Sequence, residues 1–137
     1  MKYSEKELVD LALEAMKGAY SPYSGFKVGA ALLAKSGEVY TGCNIENASY
    51  TPTVCAERTA FFKAISEGER EFEAIAVVGG KDDNAEEFCT PCGVCRQVML
   101  EFCDRDSFIV IFGKRDGFET HTLAELTPFS FGKDDLN

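Results

Sequence analysis

Cys55-Ala56-Glu57 and, further along, Pro91-Cys92-Gly93-Val94-Cys95 supply three thiols and one carboxylic acid in the pattern a hydrolytic zinc ion requires. Zinc with four protein ligands is structural, whereas three protein ligands leave one position for water, which the metal ionises near neutral pH. The spacing of Cys92 and Cys95 lets a single helical turn aim both sulfurs at one ion, and Cys55 closes the site from a second helix. Glu57, two residues past the first ligand, is in reach of that water. Exclusion from solvent would raise its pKa toward neutrality, as a proton shuttle needs. Three thiolates on one divalent ion leave a net charge of about −1, and Arg58, one turn from Cys55, is the residue placed to offset it by donating to the sulfurs.

Other readings of the cysteines are weaker. A Cys-x-x-Cys alone serves structural zinc and redox chemistry equally well, and the Cys-Ala-Glu partner breaks the tie. Cys89, Cys92 and Cys95 do not complete an iron–sulfur pattern, since Met99-Leu100 stands where a fourth cysteine and a proline belong. A non-catalytic structural zinc module would take Cys43, Cys89 or Cys103 as fourth ligand, and it leaves Glu57 without a role. Cys43 and Cys103 read as small core residues, and His121, the only histidine, as ordinary surface.

These side chains need a scaffold. Ser4 and Glu7 form a capping box ahead of an apolar helical repeat, which predicts a helix over 5–18. Phe26 to Ala34 is a strand, Ser36-Gly37 a turn, and Glu38 to Gly42 the returning strand of a hairpin. Cys55 to Glu67 is helical and stops at Gly68, Ala74 to Gly79 is a buried strand, and Lys81 to Glu87 reads as an acidic loop in solvent. Pro91 opens a second ligand-bearing helix that runs from Cys95 to Phe102. Strands at Phe108 to Phe112 and Phe118 to Thr122 follow, then a helical turn at Leu123 to Leu126. This order predicts an α/β fold, a three-layer α/β/α sandwich around a mixed sheet of about five strands, with both ligand helices on one face.

With 137 residues and 45% hydrophobic content, the chain is expected to form one domain over 1–137. No run approaches the roughly 20 apolar residues of a membrane helix, and the first residues lead into an amphipathic pattern, so a soluble, cytoplasmic protein with reduced thiols is expected. The net charge of −9, without a cluster of Lys and Arg among aromatics, argues against a nucleic-acid polymer as partner.

The chain also resembles the short cytidine deaminases, zinc enzymes that hydrolyse cytidine and deoxycytidine to the uracil nucleosides. The likeness is carried by Cys43-Asn44-Ile45-Glu46-Asn47-Ala48, Cys55-Ala56-Glu57-Arg58-Thr59-Ala60 and Pro91-Cys92-Gly93-Val94-Cys95-Arg96-Gln97, in the family's order, and covers nearly the whole chain. It implies one Zn2+ per chain on Cys55, Cys92 and Cys95, with Glu57 carrying protons in pyrimidine salvage. Asn44 and Glu46 match positions that bind the ribose hydroxyl, Phe26 matches an aromatic lining the pyrimidine site, and Ala56 falls among the substrate contacts. Ala48 and Tyr50 resemble positions that reach a neighbouring subunit's site, as does Phe131 or the nearby Phe129, so a homotetramer with shared active sites is implied. Deaminases of a cytosine-containing antibiotic such as blasticidin S share these motifs, but the Asn44 and Glu46 pair favours an ordinary nucleoside. The chain departs from the family between Ala74 and Pro91, where the acidic Lys81-Asp82-Asp83-Asn84 loop is longer and an additional Cys89 appears, which leaves the rim of the site unassigned.

Overall fold

A computed structural model describes residues 1–81 and 83–136; Asp82, part of the expected acidic loop, lies outside the described residues. The capping box forms as read: Ser4 accepts from the Glu7 backbone while the Glu7 side chain accepts from Ser4, and helix α1 runs Glu5–Met16. It ends two residues before the predicted limit and buries Leu8, Val9, Ala12 and Met16.

Strands β1 (Phe26–Ala34) and β2 (Val39–Cys43) make the predicted hairpin, followed by helix α2 (Ala56–Ser66) and strand β3 (Phe72–Lys81). Helix α3 (Gly93–Phe102), strands β4 (Ile109–Lys114) and β5 (Gly117–Thr122) and the short helix α4 (Leu123–Leu126) complete the predicted order. A 3-10 turn at Lys133–Leu136, too short to leave a periodic signal, follows α4.

The five strands form one mixed sheet in the order β2-β1-β3-β4-β5, with β3 and β4 parallel and the other neighbours antiparallel. Alternation along the central strands divides the core into two layers. Ala30, Leu32, Ala34, Ile75, Val77, Val110 and Phe112 face a cluster with Ala60 and Phe61 of α2 and Met99 of α3. Ala31, Leu33, Ala74, Ala76, Val78 and Ile111 face α1 through Leu8, Val9, Ala12 and Met16. The molecule is therefore the three-layer α/β/α sandwich expected, with α2 and α3 together on one face. Each fully buried Leu, Ile or Phe in these layers contributes about 1.5–3 kcal/mol.

Two details position the site. Gly42 of β2 has no room for a side chain, since a Cβ there would lie 2.5 Å from Ala56 O and 2.6 Å from Ala60 N, so the first turn of α2 rests directly on the strand. The segment read as a solvated loop is anchored at both ends. Strand β3 continues to Lys81, Ala85 is fully buried, Glu87 bridges Gly79, and Cys89 bridges Gly113. Ala85 joins the apolar cluster on the α1 side, and Arg115 N donating to Ala85 O together with the Lys27–Asp83 ion pair holds the segment there.

Candidate metal centre and active site

Cys55 is the N-cap residue of α2 and Cys92 that of α3, and neither thiol makes a side-chain capping bond, so both sulfurs are free for another partner. Cys95 follows in the first turn of α3 and is 1% exposed. Cys55 Sγ lies 3.6 Å from Cys92 Sγ, and Cys92 Sγ lies 3.5 Å from Cys95 Sγ. Tetrahedral zinc with bonds of about 2.3 Å places its sulfurs about 3.8 Å apart, so the trio fits that ion closely. A disulfide would bring two of the sulfurs to about 2.05 Å, and all six cysteines are free.

Among the described residues, the only group of at least three potential ligand atoms lying within 4.8 Å of one another is Cys55, Cys92 and Cys95. Cys43, Cys89 and Cys103 do not join it, which removes the fourth ligand a structural zinc module needs. Cys103 packs against the core, and burial pushes its thiol well above the ordinary range.

Electrostatics around the trio favour thiolate at its edge. Hydrogen bonding from Cys95 leads in lowering Cys55 to about 5, against the opposing effect of burial, and the Arg58 guanidinium assists. Arg58 Nη2 donates to Cys55 Sγ at 3.4 Å, the contact expected from their spacing, while its Nε is buried without a partner among the described residues. Glu57, in the first turn of α2, is 3% exposed. Burial raises its carboxyl to about 7, with a smaller push in the same direction from Cys55.

A cavity of about 160 Å³ opens beside these groups, lined by Val28, Asn44, Glu46, Thr53, Val54, Cys55, Glu57, Cys89, Thr90 and Cys92. Asn44 closes it at the sheet: its Oδ1 accepts from Val28 N and its Nδ2 donates to Phe26 O, both at 2.8 Å. Glu46 accepts from Tyr23 N and Ser24 N through Oε1 and from the Ser24 hydroxyl through Oε2, and these donors hold its carboxyl below the usual range. Both groups keep hydrogen-bonding positions for a further partner, Asn44 one donor and one acceptor and Glu46 an acceptor. Residues 44–54 are held by backbone bonds from Ile45 N to Val54 O and from Glu46 N to Tyr20 O, and the segment leads directly into Cys55.

The other residues singled out from the sequence lie outside the cavity lining. Phe26 stands just beyond its wall, Ala56 is buried in the core beneath the helix start, and Ala48 is exposed. Tyr50, 75% exposed, borders a neighbouring groove of about 360 Å³ with Tyr23, Glu46 and Thr53. Phe131 and Phe129 are exposed near the end of the chain, Phe131 with its carbonyl accepting from Gln97 Nε2 at 2.8 Å.

Several contributors were not read from the sequence. Val28, Thr53, Val54 and Thr90 line the cavity, and Arg96 braces the ligand loop by donating to Pro91 O and Leu126 O, both at 2.8 Å. Arg96 and Thr90 flank the Pro-Cys-x-x-Cys run, and that adjacency was the available signal. His121 is also more than ordinary surface: its ring stacks on Phe112, and its two nitrogens meet Glu119 at 2.9 Å and Glu125 at 3.2 Å.

Comparisons with known proteins agree with this geometry. A family model described as the zinc-binding region of cytidine and deoxycytidylate deaminases matches residues 2–111. A cytidine deaminase of Sporosarcina psychrophila is 48% identical over 132 residues, covering 96% of this chain and 94% of that enzyme. The crystal structure of cytidine deaminase from Burkholderia pseudomallei superposes with a TM-score of 0.86 at 43% identity, covering 94% of this chain and 100% of the other. A blasticidin-S deaminase of Bacillus cereus is more distant, at 32% identity over 129 residues, 91% of this chain and 90% of that enzyme.

Proposed function

The chain belongs to the zinc-binding cytidine and deoxycytidylate deaminase family, and we propose that it hydrolyses free cytidine and deoxycytidine, with Glu57 carrying the protons of the reaction. The observation that carries this reading is the convergence of three free sulfurs within 4.8 Å of one another, beside a small cavity lined by Cys55, Cys92 and the buried Glu57 carboxyl. Cys55, Cys92 and Cys95 would hold the ion. When bound, zinc supplies Lewis-acid activation of water near neutral pH.

Glu57 does the rest of the proton work. Its carboxylate takes a proton from the attacking water and delivers it to ring nitrogen N3 as oxygen bonds to C4, then carries the proton of the new C4 hydroxyl to the amino group, which leaves as ammonia as the C4–N bond breaks and the carbonyl forms. A carboxyl held at about 7 is available in both forms at neutral pH, which suits a group that must accept and return a proton in one cycle. Asn44 and Glu46, pre-oriented by their backbone partners, bind the sugar hydroxyl with their remaining positions. The rigid frame around them keeps the nucleoside aligned with the sulfur trio.

The working assembly is a homotetramer with shared active sites. Tyr20, Tyr23, Ile45, Tyr50, Phe129 and Phe131 are large apolar side chains left exposed on the single chain, and Tyr23, Tyr50 and Glu46 border the same groove, which suits a surface covered by neighbouring subunits. Light scattering on purified protein distinguishes four chains from one. Cytoplasmic pyrimidine salvage is the setting this chemistry fits, and among the described residues no helix is long and apolar enough to cross a membrane. Loss of cytidine absorbance, followed with and without a strong zinc chelator, tests the activity directly: a protein that binds zinc and leaves cytidine intact would refute it.

A further inference from the structure

Cys89 lines the same cavity as Cys55, Glu57 and Cys92 without belonging to the sulfur trio. Its backbone is pinned by the bridge to Gly113, so the thiol has a fixed origin. Its Sγ fills space that opens only because residue 79 is glycine: a Cβ built there would lie 3.0 Å from Cys89 Sγ, from Lys27 O and from Phe26 Cε1. Cys89 is thus part of the cavity lining, with Gly79 and the Phe26 ring packed behind that lining. Burial pushes this thiol up to about 12, so at neutral pH it is an uncharged, compact, polarisable group.

The orientation of the nucleoside decides what this wall touches. With C4 at the sulfur trio, N3 at Glu57 and the sugar on N1 toward Asn44 and Glu46, the ring edge left over is C5–C6. The lining residues left over are Val28, Thr53, Val54, Cys89 and Thr90. Of these, Cys89 has its sulfur packed at Gly79, in space bordered by Lys27 O and Phe26 Cε1, which leaves it little room to withdraw from a larger base.

We infer that Cys89 is a specificity-determining residue that limits substitution at C5 of the pyrimidine, admitting cytosine and disfavouring its 5-methyl derivative. The inference rests on the nucleoside-deaminase reading above. A close-packed wall discriminates a single methyl group by about 10–200-fold, and removing the Cys89 sulfur should recover part of that range.

The test is kcat/KM for cytidine and for 5-methylcytidine, measured on zinc-loaded wild-type protein, Cys89→Ala and Cys89→Val. The ratio of the two substrates is the readout, because a general loss of folding or zinc lowers both alike. Cys89→Ala should raise the 5-methylcytidine to cytidine ratio about tenfold, and the bulkier Cys89→Val should lower it below wild type. If the alanine variant does not fold, the valine variant alone still decides by the direction of its change. Ratios within twofold of wild type in the variants, with wild type deaminating cytidine normally, overturn the inference while leaving the deaminase reading intact. Zinc-loaded wild type that leaves cytidine untouched overturns the deaminase reading, and this inference with it.

Discussion

Arg58 donates from Nη2 to Cys55 Sγ across 3.4 Å, which places a permanent positive charge one helical turn from the sulfur that opens the site. Removing a donor to a metal-binding group of this kind typically costs 10–100-fold in metal affinity or activity. Arg58→Ala is therefore expected to lose about 10–100-fold in kcat/KM or in zinc affinity. Steady-state kinetics together with zinc per chain by elemental analysis would show which of the two falls, and an unchanged enzyme would mean the contact has no tuning role.

Glu57→Gln keeps the shape and burial of the side chain and removes its ability to accept a proton. Because the carboxyl is not one of the three converging sulfurs, the variant should retain zinc near one per chain. General acid–base catalysis is worth about 10²–10⁴-fold, and the turnover number should fall by that range. Activity within a few-fold of wild type would remove Glu57 from the mechanism.

Chelation separates the metal's chemical role from its structural one. The sheet is held by two apolar layers that together include Phe61, Ile75, Phe108, Leu8 and Ile111, all fully buried, and these do not depend on an ion. Stripping zinc should abolish cytidine hydrolysis while far-UV circular dichroism stays native-like and unfolding stays cooperative at a lower midpoint. Restored activity on adding zinc back completes the test, and collapse of the spectrum on chelation would make the ion structural.

Much of this was legible from residue types and spacing because the determinants are local. Ser4 and Glu7 define the start of α1 by their own hydrogen bonds, and Cys55 and Cys92 each stand at the N-cap position of a helix that begins at the next residue. Arg58 could be aimed at Cys55 for the same reason, since three positions along a helix fix the distance. What escaped were relationships made by distant pairing. Cys89 lies on the cavity wall because β3 and β4 bring Gly79 and Gly113 beside it, and Arg96 braces the ligand loop through a carbonyl thirty residues away. The segment 81–87 looked fully solvated because Ala85, the one buried residue among those described there, carries no periodicity of its own.

His121 shows how far such non-local placement can change a residue's character. A neutral imidazole carries one N–H, yet both ring nitrogens face carboxylate oxygens, Nε2 toward Glu119 and Nδ1 toward Glu125, with Phe112 stacked on the ring. Only the doubly protonated ring donates to both, and these two partners raise its pKa above the ordinary value of about 6.5. A folded-state pKa above the unfolded one gives stability that is fully present below about 6.5 and is lost as pH rises through the folded value. Glu125 sets the opposite limit. Its carboxyl is held below the usual range, chiefly by the Thr122 backbone and then by His121, so its contribution persists above the unfolded carboxylate pKa and fades as the medium becomes strongly acidic. Between those limits, thermal midpoints of wild type should exceed those of His121→Gln by a constant margin, and the margin should shrink as pH rises through the raised folded-state value. Midpoints measured across that range check this, and a margin that grows toward alkaline pH would show that the ring is held neutral.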